Sequence, residues 1–157
     1  VSDIESIINN VEIYNICEQT EEITLTLLNS KKIDVFELYK LIKTPTQKIN
    51  INAAEKCDSK NVLELYKLFT NPNEEIKYCA IQNCHNENVV ELYKLCTDPS
   101  EKIKHKLIRR WNWTIGSFIN LCELLNNPDN DMLLKIILMT QAKCQTYITY
   151  LKIQMIV

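Results

Sequence analysis

Apolar and polar positions follow a helical period along this chain, and the pattern itself recurs. Counting about 100° per residue from Val62 puts Val62, Leu65, Tyr66, Leu68 and Phe69 on one broad face, with Glu64 and Lys67 on the other. The letters ELYKL stand at 37–41, 64–68 and 91–95, each copy 27 residues after the last. Pro45, Pro72 and Pro99 keep that interval, and Pro128 follows 29 later. Four residues beyond the prolines stand Ile49, Ile76, Ile103 and Met132; Cys57 and Cys84 lie eight beyond the first two of these. Degenerate copies read EIYNICEQTEEI from Glu12, NLCELLNNP from Asn120 and TYLKI from Thr149. Self-similarity at a fixed period marks a stacked-repeat architecture. A catalytic motif is needed once, so a copied one points to packing.

Each unit reads as two helices. Asp34 with Glu37, Asn61 with Glu64 and Asn88 with Glu91 have the spacing of capping boxes. The second helix is expected to begin at Asn71, Pro72 and Glu74, or at Asp98, Pro99 and Glu101: a cap, a proline where a missing N–H costs nothing, then an acid at the positive helix end. Tyr39, Tyr66 and Tyr93 should pack between successive units with their hydroxyls near the edge. Lys40, Lys67 and Lys94 should form a solvated outer row. The predicted fold is all-α and a single domain over 1–157. It has helix pairs at about 10–32, 34–58, 61–86, 88–113 and 117–144, a leading helix at about 2–9 and a closing helix at 146–156.

Composition narrows the chemistry. With 46% hydrophobic and 24% charged residues among 157, the chain suits a globular domain with a real core. One glycine, Gly116, removes every Gly-rich phosphate loop from consideration. Seven cysteines without a CxxC pair, and two histidines, make neither a disulfide framework nor a zinc spacing. No metal or cofactor is expected. Reduced buried thiols, no signal peptide and no apolar run of membrane length suggest a cytoplasmic protein that does not enter membranes. The formal net charge of -2 conceals an asymmetry. Residues 1–37 carry eight acids and two bases; residues 102–113 carry Lys102, Lys104, Lys106, Arg109 and Arg110 and no acid.

Units such as VVELYKLCTDPSEKIKHKLIRR, with the join IQNCHNENVVELYKL, resemble HEAT-type helical repeats. Their short period resembles most the leucine-rich-repeat variant of that superfamily, over roughly residues 10–156. The resemblance implies a right-handed α-solenoid of five helix pairs with an extra helix at each end, used as a binding scaffold. It also implies that the second helix of each pair lines the concave side. The chain departs from the pattern in its few alanines. It also lacks the cysteine cluster that holds an iron–sulfur centre in one variant-repeat protein, so no cofactor is carried over.

Candidate contact residues follow from that layout. Outward positions of the second helices fall in three rows: Ile51, Tyr78, His105; Glu55, Gln82, Arg109; and Asp58, His85, Asn112. The rows pass from acidic to basic, and nothing in them repeats. The strongest constellation is KHKLIRRWNW, residues 104–113, with Lys106, Arg109 and Arg110 opposite an apolar stripe. Trp111 takes the place of Cys84 and Cys57 and is expected in the core, while Trp113 sits in a loop two residues longer than its counterpart. The expected function is a non-catalytic scaffold binding a protein partner through Tyr78, Gln82, His85, His105, Lys106, Arg109, Arg110 and Trp113, or through the apolar C-terminal end. That end is also a candidate for self-association, since Leu134 and Leu138 fall where outward polar residues stood and KIQMIV closes the chain. The alternative is nucleic-acid binding through the basic patch at 102–113, with a HEAT-like alkylpurine DNA glycosylase as a remote third. Net charge argues against many phosphate contacts.

Overall fold

A computed structural model describes residues 19–111, 118–126 and 128–154, from 143 onward as backbone alone. The expected leading helix and the first helix of the first pair lie outside the described residues, as do Asn112 and Trp113. Within them the chain is all-helical, with no strand. The helices are α1 (Glu21–Leu28), α2 (Val35–Lys40), α3 (Gln47–Lys56), α4 (Val62–Leu68) and α5 (Glu74–Asn83). Then come α6 (Val89–Leu95), α7 (Glu101–Arg110), α8 (Phe118–Leu125) and α9 (Asn130–Gln154).

Burial follows the 27-residue interval. Val35, Val62 and Val89 are buried, then Leu38, Leu65 and Leu92, then Tyr39, Tyr66 and Tyr93. On the second helices Ile49, Ile76, Ile103 and Met132 are buried, as are Ala53, Ala80, Leu107 and Ile136. Cys57, Cys84 and Trp111 end α3, α5 and α7 in nearly the same backbone conformation, all inside the core. The place expected for Trp111 is therefore the one it occupies. Helix contacts run by alternate elements: α3 packs on α1 and α5, α5 on α3 and α7, α4 on α2 and α6, and α9 on α7 and α8. Burying one such leucine removes enough apolar surface to stabilise by about 1.5–3 kcal/mol.

The hydroxyls of Tyr39 and Tyr66 are not at the edge. Tyr39 donates to Oδ1 of buried Asn50 at 2.7 Å, and Tyr66 to the Cys96 sulfur at 3.4 Å. Each hydroxyl thus finds a partner inside the core, which a buried phenol requires. Tyr39 and Tyr66 also meet Phe69 edge-on, at 5.3 and 6.0 Å between centroids, linking consecutive units.

The caps fall elsewhere than the spacing suggests. Thr46, Asn73 and Ser100 cap the second helices, each accepting from the N–H three residues on, at Ile49, Ile76 and Ile103. Pro72 and Pro99 precede these caps rather than opening the helix. Asn71 and Asp98 have φ of 50° and 44° and lie in the turn between the two helices instead, a conformation that short polar side chains tolerate. Asp34 caps α2 as expected, at 2.9 Å from Phe36 N and 3.2 Å from Glu37 N. Asn61 and Asn88 make no side-chain cap bond. Their own N–H groups close tight turns to Asp58 and His85, and the resulting helical backbone aims the side chain away from the helix start.

Two further expectations need correction. Leu68 is 46% exposed and its counterpart Leu95 43%, so the last letter of ELYKL is not a core position. The helix ends there, Phe69 and Cys96 turn extended, and they take the inward place. At the C-terminal end α9 runs unbroken from Asn130 to Gln154, through the join expected near residue 145. No proline or glycine occurs in that span to stop it.

Candidate functional site

The outward side of α7 meets that of α5 in a shallow pocket of about 360 Å³ lined by Tyr78, Lys102, His105, Lys106 and Arg109. Lys102, Lys106 and Arg109 recur at helical spacing on one stripe of α7, one turn apart. Tyr78 faces them from the middle of α5. The ammonium groups of Lys102 and Lys106 lie 4.5 and 4.6 Å from the centre of its ring. A hydrogen bond from Lys106 pulls the Tyr78 hydroxyl below the usual tyrosine range, and the charges of Lys106, Lys102 and Arg109 add to that. Among the described residues none of these three cations pairs with a carboxylate, whereas Lys104 pairs with Glu101 at 2.8 Å.

His105 reaches toward α9. Its Nε2 lies 3.4 Å from Lys135 Nζ and 3.9 Å from Asp131 Oδ2, and Lys135 and Asp131 pair at 2.5 Å. Lysine at 135 draws the Asp131 carboxyl below the ordinary range, by hydrogen bonding first and charge second. Neither Asp131 nor Lys135 is among the residues expected at the site. Their signal was present: aligning Met132 with Ile103 puts Asp131 at the place of Lys102 and Lys135 at that of Lys106.

Four expected contact residues thus come together, and Lys102, outside the expected contact set, joins them. Gln82 is exposed one turn beyond Tyr78 but does not line the pocket. His85 belongs to the turn after α5, where its N–H donates to Ser59 O at 2.9 Å and its ring stands 3.9 Å from Glu87. Trp113 lies outside the described residues.

Arg110 has a different role from the one expected. Its guanidinium Nη2 donates to the carbonyl of Cys84, at the end of the preceding second helix. Asn83, one repeat earlier, does the same to the helix before it, with Nδ2 reaching the carbonyls of Ala54, Glu55 and Cys57 at 3.2, 3.3 and 2.8 Å. Helix ends leave such carbonyls without partners. The two residues are side-chain clamps between units, and the shared interval hides behind different letters.

The remaining chemistry is quiet. Burial pushes the Cys84 thiol up to about 11 and Cys57 to about 12, the reverse of an activated nucleophile. Cys79 is also raised to about 11, by burial and by Glu55, whose carboxylate stands 3.6 Å from its sulfur. Among the described residues no group of three His, Cys, Asp or Glu could hold a metal ion. No helix of those residues is long and apolar enough to cross a membrane.

Of three larger cavities, one of about 600 Å³ lies beside α1 and Lys48, and two, about 480 and 550 Å³, flank the ends of α4 and α6. Of these two, Tyr66 and Pro72 line the first, Tyr93 and Pro99 the second. Their recurrence one unit apart makes them products of the packing. At the C-terminal side α9 presents Leu134 (55% exposed), Ile137 and Leu138, and α8 presents Ile119.

No protein-family model matches the chain, and no curated protein or solved structure matches it either.

Proposed function

We propose that the chain is a non-catalytic interaction scaffold, a right-handed HEAT-like α-solenoid of five helix pairs that binds a protein partner on its second-helix face. The observation that carries this reading is a contrast between two sets of positions. Buried positions recur at the 27-residue interval, whereas the outward residues of the second helices, Glu55, Gln82 and Arg109, do not. Packing explains the first set and leaves the second free for a partner. The Tyr78, Lys102, Lys106 and Arg109 pocket is the central contact of that face. The exposed Leu134, Ile137 and Leu138 strip of α9 is a second surface, for a partner or a second copy of the chain. The raised, reduced thiols suit a reducing compartment such as the cytoplasm.

Selection of binders to the immobilised chain from a display library of protein segments tests the reading. The expected binders lose affinity roughly tenfold or more on Lys106→Glu/Arg109→Glu, the scale of one lost charge-assisted bond, and tolerate rising salt. Binders indifferent to that change and to Leu134→Asp would overturn it. Nucleic-acid binding is the second reading, favoured by Lys102, Lys106 and Arg109, which pair with no carboxylate among the described residues. It predicts steep weakening with salt.

A further inference from the structure

The Tyr78 pocket carries more positive charge than its surroundings neutralise. Lys102 and Lys106 share one aromatic ring, and Arg109 stands one turn further along the same helix. Cation–π contact offsets only about 0.5–1 kcal/mol at an exposed site, so the ring does not replace a counter-ion. Among the described residues, three nearby acids have partners of their own. Asp131 is held by Lys135, Glu101 by Lys104 and Glu55 by the Cys79 thiol.

The cluster is also small. Three cations on about two turns of one helix span roughly 10 Å. Glu55 and Glu75 lie beside Cys79, close enough to it for their charges and that of Lys102 to be felt there, and Asp131 meets His105 on the α9 side. A nucleic-acid groove needs a continuous row of cations, since duplex DNA carries a charge every 1.7 Å or so along its axis. A pocket of about 360 Å³ with acids nearby fits one compact anion instead. Three cations with a phenol hydroxyl exceed what a single carboxylate would neutralise. They suit a phosphoryl group, which carries roughly two negative charges and three strong acceptor oxygens. Arg109 supplies the planar fork for two of these oxygens, and the lysines supply point charges.

We propose that this pocket receives a phosphorylated side chain of the partner protein, held by Lys102, Lys106, Arg109 and the Tyr78 hydroxyl. The inference rests on the scaffold reading for its source of phosphate, and it makes phosphorylation strengthen partner binding at this pocket.

The test is an NMR titration of the ¹⁵N-labelled chain with blocked phosphoserine, with equally blocked glutamate and with a short single-stranded oligonucleotide. Phosphoserine should shift the amides of Tyr78 and residues 102–109 and bind more tightly than glutamate. Lys106→Glu/Arg109→Glu should weaken it roughly tenfold or more, while Lys40→Glu, on another surface, leaves it unchanged. Unaltered amide dispersion in the variants shows that they fold. Shifts scattered over surface lysines, equal response to glutamate, or a footprint seen only with the oligonucleotide would each overturn the proposal. Failure here can be told from failure of the scaffold. Phosphoserine needs no protein partner to bind, and selected binders that map to the Leu134 strip would leave the scaffold standing without this pocket.

Discussion

Replacing Leu92 by alanine should lower the unfolding free energy by about 2–5 kcal/mol, while Leu95→Ala should change it by only about 0.5 kcal/mol. Both leucines belong to the same ELYKL copy, three residues apart. Leu92 is fully enclosed, so truncation removes transfer energy and leaves a cavity that packed neighbours cannot fill. Leu95 is 43% exposed at a helix end, and its loss is shared with water. Since a domain of this kind has about 5–15 kcal/mol in hand, the first change takes a large share of it. Urea unfolding followed by circular dichroism measures both, with an unchanged m-value showing that the denatured state is not what moved. Equal losses at the two positions would contradict the reading of ELYKL as a packing unit with one inward leucine.

Alkali should destabilise the fold on the order of several kcal/mol, beginning near pH 8. Burial raises Cys57 from 9.0 to about 12 and Cys84 from 9.0 to about 11. It raises Tyr39 and Tyr93 from 10.0 to about 12. These groups are neutral when protonated, so the folded state holds their protons more tightly than the unfolded chain does. Well below pH 8 both states are almost fully protonated and the groups give little pH dependence. Above it the unfolded chain loses protons first, and stability falls until the folded values near 12 are passed. Denaturation midpoints taken from pH 8 to pH 11 check this, and a flat profile would mean these thiols and phenols are not enclosed together.

Much of this architecture is legible in the letters because a repeat states each requirement several times. Val62, Leu65, Tyr66 and their counterparts could be placed inside before any coordinates, and Trp111 could be placed by register alone. The caps of the second helices were not legible. Asn71-Pro72-Asn73 and Asp98-Pro99-Ser100 offer a cap-forming residue on each side of the proline, and only the positive φ at Asn71 and Asp98 decides between them. The fifth letter of ELYKL misled because a helical wheel assumes the helix continues, and it ends at Leu68 and Leu95. Arg110 misled because its charge suggested an external partner. Its counterpart Asn83 carries the same clamp with no charge at all. In the candidate site, the rows on α5 and α7 were foreseen as outward, but the meeting of Tyr78 with Lys102 and Lys106 depends on how the two helices cross.

The central claim is that the outward face of these helices serves a protein partner rather than a nucleic acid. Fluorescence anisotropy of labelled single- and double-stranded oligonucleotides, at low and at near-physiological salt, tests it most directly, with the Lys106→Glu/Arg109→Glu variant alongside. No tight binding is expected at near-physiological salt, and little difference between the native chain and the variant. Tight binding that weakens steeply with salt and disappears in the variant would contradict it.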